Sequence, residues 1–166
     1  MIAIRIRGQK NFMGKLLATD AFDGFVLEEA VIDTFNTFTI DGKLHREFFE
    51  GLAESDTPAP TGEFSPWSNV RPICLDLIKG KRTPLGFKFV LLLGDEAKAS
   101  FFQGKDIDLS PEAVSFGIII KFSAGDVQIT TGISHKTFTM DKSAEKAWDA
   151  YIPSFLESNN IDHEIL

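Results

Sequence analysis

Six short strand-like segments constrain the fold of this chain more than any other feature of its sequence. Each is rich in Val, Ile, Thr or Phe, and its apolar residues alternate or run continuously. The segments cover residues 2–6, 25–33, 35–41, 87–93, 115–122 and 127–133. The last two flank Ala124-Gly125-Asp126, a connection typical of an antiparallel hairpin, and we expect pairing to resume at residues 137–140. The sequence therefore predicts a mainly antiparallel sheet.

Helical periodicity fills most of the chain between and after these segments. We expect helices over residues 10–18, 44–52, 95–103 and 142–157. A further helix begins either at Ser65-Pro66, where a hydroxyl precedes a proline, or near Arg71, and it ends before Gly80. These elements predict an α+β fold in which helices pack on the sheet.

One Pro-rich loop interrupts the periodic segments. Residues 53–66 (AESDTPAPTGEFSP) contain three prolines and one glycine and show no strand or helix period. A length of 166 residues suits one domain, so we expect a single domain over residues 1–166. The loop also allows a division into two halves, 1–52 and 67–158.

A repeated pentamer raises the question of internal duplication. Thr37–Asp41 (TFTID) recurs as Thr137–Asp141 (TFTMD), and in each copy an aromatic residue follows seven positions after the aspartate. If the halves are related, each has the order strand, helix, two strands, helix, and the fold has pseudo-two-fold symmetry. The alternative is coincidence, because about one such near-match arises by chance in a chain this long.

The regions around the two pentamers resemble those of a known family. Phe35–His45 (FNTFTIDGKLH) and Thr130–Trp148 (TTGISHKTFTMDKSAEKAW), with the N-terminal strand and helix, resemble an uncharacterised family of small proteins from Firmicutes. The resemblance extends over most of the chain and implies a bacterial source. Because that family has no assigned activity, the resemblance implies no catalytic residues.

Charge and cysteine content argue against several classes of protein. With 24 acidic and 17 basic residues, the net charge is −7, which disfavours nucleic acid as a partner. The lone Cys74 excludes an intramolecular disulfide, and its apolar neighbours indicate a buried thiol. No segment resembles a signal peptide, and no apolar run is long enough to cross a bilayer. We therefore expect a cytoplasmic protein that does not bind a membrane.

A basic cluster is the candidate binding site. Five basic residues lie within 18 positions of an otherwise acidic chain: Arg71, Lys79, Lys81, Arg82 and Lys88. A partly exposed Trp67 beside Arg71, Lys81 and Arg82 would bind a nucleotide, a phosphate or another small anionic ligand by stacking and charge. The alternative is structural, with the cations beside a helix C-terminus and Trp67 anchored against the core.

The sequence contains none of the common catalytic signatures. It has no phosphate-binding loop, no G-x-S-x-G elbow and no H-E-x-x-H motif, so we assign no catalytic residue, no metal ligand and no cofactor. His135 follows Ser134, but neighbours along a strand point to opposite faces. A surface or structural role is therefore the favoured interpretation of His135.

Continuous apolar strands favour an interaction domain. Residues 90–93 and 118–120 are apolar throughout, which is typical of strands covered on both faces. The 66–79 helix or a second subunit would supply that cover, and a homodimer is a common arrangement of this kind. The function is unknown from sequence, and the leading hypothesis is a non-enzymatic cytosolic domain that binds a protein partner. The alternative is a small enzyme or a nucleotide- or anion-binding protein that uses the Trp67 cluster.

Overall fold

Four α-helices and an eight-stranded sheet form the part of the chain that the structure describes. The computed structural model describes residues 1–51 and 59–166. The strands are β1 (Ala3–Ile6), β2 (Phe25–Asp33), β3 (Thr37–Asp41), β4 (Ser65–Pro66), β5 (Gly86–Leu93), β6 (Val114–Ser123), β7 (Asp126–His135) and β8 (His163–Ile165). The helices are α1 (Gln9–Ala18), α2 (Trp67–Ile78), α3 (Asp95–Phe102) and α4 (Ser143–Ser158), with 3-10 turns at Arg46–Phe49 and Pro111–Ala113. The predicted α+β class is confirmed.

The strands form one sheet in which every pairing is antiparallel. Their order is β3-β2-β5-β6-β7-β1-β8, and β4 pairs with β2. The predicted β6–β7 hairpin is confirmed, and it turns at Ala124 and Gly125, whose φ values of 52° and 85° fit a two-residue hairpin loop. β1 lies between β7 and β8, so the first strand pairs with segments from the other end of the chain.

All four helices lie on one face of this sheet. Side chains alternate along each strand, and the buried ones point to this face. They include Ile4, Leu27, Phe89, Leu91, Phe116, Ile118, Ile120 and Ile129. α2 contacts the face through Trp67, which packs on Phe89, while α1 packs beside α2. α3 and α4 contact it through Phe101 and Trp148, whose rings both touch Phe116.

Trp148 joins α4 to the middle of the core. Its ring contacts Phe25, Phe101 and Phe116 and is 1% exposed. Its indole N–H donates a hydrogen bond to the Gly117 carbonyl at 2.9 Å. The buried polar atom is thus satisfied, as a large aromatic side chain in a core requires.

A β-bulge in β2 lies where the chain joins the sheet again after the Pro-rich loop. The register shift inside β2 leaves Glu28 without a partner residue in β5. Gly42 packs against this bulge, and its amide donates to the Glu28 carbonyl at 2.9 Å. A Cβ at Gly42 would lie 1.8 Å from the Leu27 carbonyl oxygen, so only glycine fits. The next residue, Lys43, forms an isolated bridge to Phe64.

The two pentamers adopt different structures. TFTID forms β3, whereas residues 137–140 lie outside the described strands, so the predicted pairing at 137–140 is wrong. Pseudo-two-fold symmetry is not confirmed, because β1 lies beside β7, and three strands (β5, β6 and β7) separate it from β2 and β3. The two pentamers are therefore similar in sequence but differ in structure.

Three other element predictions need correction. The helix expected over residues 44–52 is wrong, since only the 3-10 turn Arg46–Phe49 forms there and residue 52 lies outside the described ranges. The Pro-rich loop predicted over 53–66 ends in β4, and its residues 53–58 also lie outside those ranges. α2 begins at Trp67, directly after Pro66, so the alternative start near Arg71 is wrong. No helix in the described ranges has the length and hydropathy needed to cross a membrane.

Candidate functional site

The second face of the sheet carries no helix in the described ranges, and we call it the open face. Residues directly opposite one another on neighbouring strands arrange its side chains in rows. The four rows are Val26, Leu92, Gly117 and Gly132; Glu29, Val90, Ile119, Thr130 and Ala3; Val31, Lys88, Lys121, Gln128 and Arg5; and Asp33, Gly86, Ser123 and Asp126. Their order places apolar groups in the middle of the sheet and charged groups around them.

The centre of the open face is an apolar patch on β5 and β6. Ile119 is 41% exposed and lies directly opposite Val90 on one side and Thr130 on the other. Leu92 leans over Gly117, where an added Cβ would meet its Cδ2 at 3.0 Å. A large apolar side chain this exposed in the middle of a sheet is a feature of interaction surfaces.

This geometry corrects the prediction that residues 90–93 and 118–120 are covered on both faces. Leu91, Leu93, Ile118 and Ile120 are buried, whereas Val90 and Leu92 are half-buried and Ile119 is exposed. The 66–79 helix does not supply the second cover, because α2 packs on the opposite face through Trp67. Within one chain, the central strands are therefore covered on one side only.

Charged residues surround the apolar patch on the open face. Those on β2 and β3 are acidic: Glu28, Glu29, Asp33 and Asp41. Those on the other strands have both signs, since Lys88, Lys121 and Arg5 share this face with Asp126 and with Glu164, which lies opposite Arg5. The Nζ of Lys88 lies 3.1 Å from a Glu29 carboxylate oxygen. The open face is therefore acidic on β2 and β3 and mixed in charge elsewhere.

An ion cluster fixes the far edge of the sheet. Arg5 and Arg7 both bond the Glu164 carboxylate on β8, Arg5 at 3.0 Å. The hydrogen bond from Arg7, with its charge, lowers the pKa of Glu164. This cluster holds the short strand β8 against β1.

A shallow groove extends the open face beyond the Gly86 end of β5. It has a volume of about 560 Å³, and its lining includes Val31, Lys88 and Lys121 from the open face. Two large apolar side chains stand at its rim, Phe35 at 85% exposure and Leu85 at 78%. Large apolar side chains exposed close together are a feature of interaction surfaces.

Comparison with protein families matches most of the chain. The model of a family of unknown function, DUF5721, matches residues 15–164. The chain belongs to this family. The match confirms the resemblance to an uncharacterised family, and it brings no assigned activity to the chain. The comparisons with curated proteins and with solved structures gave no match.

The DUF5721 region contains the predicted Trp67 cluster, but the structure does not assemble it around an exposed ring. Trp67 is fully buried, and its indole N–H donates to the Leu16 carbonyl at 3.0 Å. The expectation of a partly exposed Trp67 is therefore wrong. A 12-residue helix is about 18 Å long. Lys81 and Arg82 follow the end of α2, so the helix separates them from Trp67.

Arg71 has a structural partner within the DUF5721 region. Its guanidinium bonds both carboxylate oxygens of Asp23, at 3.0 and 3.2 Å. The hydrogen bond to Asp23 raises the pKa of Arg71. Lys81 and Arg82 are exposed beyond Gly80, and a role for them in anion binding stays a prediction.

The remaining reactive residues do not form a catalytic arrangement in the described ranges. Cys74 is buried in α2, and this burial raises the pKa of its thiol to about 12. His135 lines a small cavity of about 310 Å³ with Asp141 and Asp149. Asp141 accepts hydrogen bonds from the backbone and hydroxyl of Ser143, which lower the pKa of its carboxyl. Among the described residues, no three potential ligands lie together as a metal site would require.

The open face was only partly visible to sequence reasoning. Continuous apolar strands indicated a leftover surface but did not show which residues form it. The alternation of β6 carries that signal, because Gly117 and Lys121 share a face with Ile119 while larger apolar residues fill the other face. Reading β6 with a period of two identifies Ile119 as the exposed apolar residue.

Proposed function

We propose that this chain is a non-enzymatic interaction domain that binds another protein through the open face of its sheet. The observation that carries the proposal is the exposed Ile119, central on a sheet whose other face holds all the helices. The charged residues around it would give such an interaction its specificity. A cytoplasmic location is part of the proposal and is supported by the single cysteine, which provides no disulfide framework.

Photo-cross-linking from the open face tests this function. A photoreactive amino acid replaces Ile119, and the protein is irradiated in living cells of its source organism. The matched control carries the same amino acid at Lys146, which is exposed on α4 on the helical side. We expect discrete protein adducts from position 119 that position 146 does not give, with partners identified by mass spectrometry.

Two outcomes would contradict the proposal. The first is the same adduct pattern from both positions, which would mean random collisions. The second is no adduct from position 119 although the folded protein is irradiated at its cellular concentration. Either result would show that the open face carries no partner.

A further inference from the structure

We infer that the outer edge of β3 pairs with the same edge of a second copy of this chain. The two β3 strands lie antiparallel about a two-fold axis that passes between them at Thr39, perpendicular to the sheet. This interface goes beyond the proposed function, because it uses the edge of the sheet and leaves the open face uncovered. Three observations support it: the free backbone groups of β3, its self-complementary side chains and its lack of the residues that protect sheet edges.

The backbone hydrogen bonds on both sides of β3 show which of its residues face outward. The Asn36 carbonyl accepts a bond from the Thr34 amide at 2.9 Å, and the Gly42 amide donates to the Glu28 carbonyl at 2.9 Å. The chain is thus bonded toward β2 through even-numbered residues before and after β3. Because backbone groups alternate in direction along an antiparallel strand, the odd-numbered residues of β3 direct theirs to the outer edge.

Three residues of β3 therefore have backbone groups available to a further strand. They are Thr37, Thr39 and Asp41, and β3 is the last strand of the sheet on this side. In residues 1–51 and 59–166, no other backbone group bonds to theirs. The Lys43 amide, next in the series, donates to the Asp41 carboxylate at 3.0 Å, so the free edge ends at Asp41. An unpaired row of this kind is a template for a strand of another chain.

The side chains of β3 complement a second β3 when Thr39 lies opposite Thr39. Phe38 then lies opposite Ile40 of the second copy, on the side of the sheet that carries the helices. On the other side, Thr37 lies opposite Asp41 of the second copy. Thr–Thr and aromatic–β-branched pairs are stabilising cross-strand pairs, and no like charges lie opposite each other. A shifted register leaves Thr37 or Asp41 opposite a residue outside β3. This self-complementarity favours a second copy over an extended strand of a different protein.

The two edges of the sheet differ in their protection against such pairing. β8 has three residues, and the carboxylate of its Glu164 is bonded to Arg5 and Arg7. β3 has five residues, TFTID, and carries no lysine and no proline. Short strands, lysines and prolines are the usual devices that prevent edge-to-edge pairing. The edge that lacks them is therefore the one that a second copy fits.

Sedimentation velocity of the purified chain tests the pairing. An edge of this length gives a small interface, so we expect a weak dimer with a Kd of about 100 μM, well populated at about 1 mM. Thr39→Pro removes the central outward N–H and no bond to β2, and edge positions of this kind tolerate proline. It should raise the Kd about tenfold or more, whereas Thr39→Val, which keeps the N–H, should change it less than about threefold.

Thr39→Lys provides a second variant that keeps every backbone group of β3. It places two lysines directly opposite each other at the axis, and like charges in that position destabilise a strand pair. We expect it to raise the Kd about tenfold, as Thr39→Pro does, while the far-ultraviolet circular dichroism of the dilute protein matches wild type.

Disulfide formation tests the register. Residues opposite each other in a hydrogen-bonded antiparallel pair have Cα atoms about 5.5 Å apart, a distance that a disulfide spans. Thr39→Cys protein should therefore oxidise to a covalent dimer faster than Thr37→Cys protein, whose cysteine lies opposite Asp41. Mixing Thr37→Cys with Asp41→Cys protein should give a mixed dimer. Cys74 is buried and does not compete.

The outcomes separate this inference from the proposed function. A wild-type chain that stays monomeric at about 1 mM overturns the inference, and so does a dimer that neither Thr39→Pro nor Thr39→Lys weakens. Equal oxidation of the Thr39→Cys and Thr37→Cys proteins overturns the register. Specific adducts from position 119 with a monomeric chain would support the proposed function alone. A dimer that depends on Thr39, with no adduct from position 119, would support the inference alone.

Discussion

Arg71 ties α2 to the turn before β2 through its two hydrogen bonds to Asp23. Both side chains are less than a third exposed, at 21% and 30%. Because the guanidinium contacts both carboxylate oxygens, we expect Arg71→Ala to lower the free energy of unfolding by roughly 1 kcal/mol. Chemical denaturation measures this change.

Lys81 provides the matched control for Arg71, since it is basic, nearby and exposed. Lys81→Ala should change the free energy of unfolding by less than about 0.5 kcal/mol. If Arg71→Ala were as stable as wild type, the ion pair would contribute nothing, and Arg71 would again be a candidate for anion binding.

Cys74 should be inert in the native protein. Its burial raises the pKa of the thiol to about 12, so almost no thiolate exists near pH 8. We expect a disulfide reagent to leave the folded chain unlabelled and to label one thiol in denaturant. Rapid, complete labelling without denaturant would show that the site opens readily.

Residue by residue, the sequence predicted burial better than it predicted a binding site. The buried thiol was predicted from its apolar neighbours and is confirmed. Trp67, Val70 and Cys74 share the buried side of α2, a spacing of three and four residues that sequence alone could have shown. The expected exposure of Trp67 was wrong because its ring packs in the core, whereas anion binding by Lys81 and Arg82 stays a prediction.

At the scale of single elements, Gly42 holds the chain against the β2 bulge. An alanine Cβ would lie 1.8 Å from the Leu27 carbonyl oxygen, so the backbone must move. We expect Gly42→Ala to lower the free energy of unfolding by about 1–3 kcal/mol, as overpacking does elsewhere. Thermal or chemical unfolding measures the loss.

Gly132 on β7 is the control for that substitution. No atom lies within 4 Å of a Cβ added there, so Gly132→Ala should stay within about 0.5 kcal/mol of wild type. Equal stability of the two alanine variants would contradict the close approach at Gly42.

The ion cluster that holds β8 against β1 should weaken in acid. Bonding by Arg7 lowers the pKa of Glu164 in the folded state, so its stabilising contribution is present above the ordinary glutamate pKa of about 4.3. That contribution is lost as the pH falls through the lowered pKa. Comparing the unfolding of wild type and Glu164→Gln across pH should show a difference near neutrality that disappears in acid.

Titration of the Glu164 carboxyl by NMR provides the direct check. Arg7→Ala should shift its midpoint upward, while Lys146→Ala should leave it unchanged. If the Glu164 midpoint does not respond to Arg7→Ala, Arg7 does not stabilise the charged form of Glu164 in this ion cluster.

Among the elements, most strands and helices were predicted within two residues, and the two that were wrong are the helix at 44–52 and the strand pairing at 137–140. The segment 25–33 matches β2 to the residue, because branched and aromatic residues alternate through it. Residues 44–52 have helical spacing, but the packing of Gly42 and the return to Phe64 fix the chain there in another path. Such long-range contacts leave no local signature in a sequence.

For the whole molecule, the homodimer raised by the sequence predicts a stability that depends on concentration. If two open faces pair, dimerisation stabilises the folded state, and the Tm should rise as protein concentration rises. Ile119→Asp should abolish that rise. Calorimetry over a hundredfold range of concentration tests it, and a constant wild-type Tm would contradict it.

The architecture itself was predictable only in outline. Strand pairs and helical spacing predicted an antiparallel sheet with helices packed on it, as observed. They did not predict that every helix lies on one face, because alternation along a strand marks two faces without saying what covers each.

The position of β1 governs how this chain folds while it is being made. A ribosome makes β1 well before its partners, because Arg5 pairs with Gln128 and Glu164, which emerge more than a hundred residues later. Until then Ile4 and Ile6 have no sheet to join, and such distant pairings are slow to form. The growing chain therefore exposes the apolar side chains of β1 until β7 and β8 have been made, so that a chaperone can hold them, and β1 is among the last strands of the sheet to be placed.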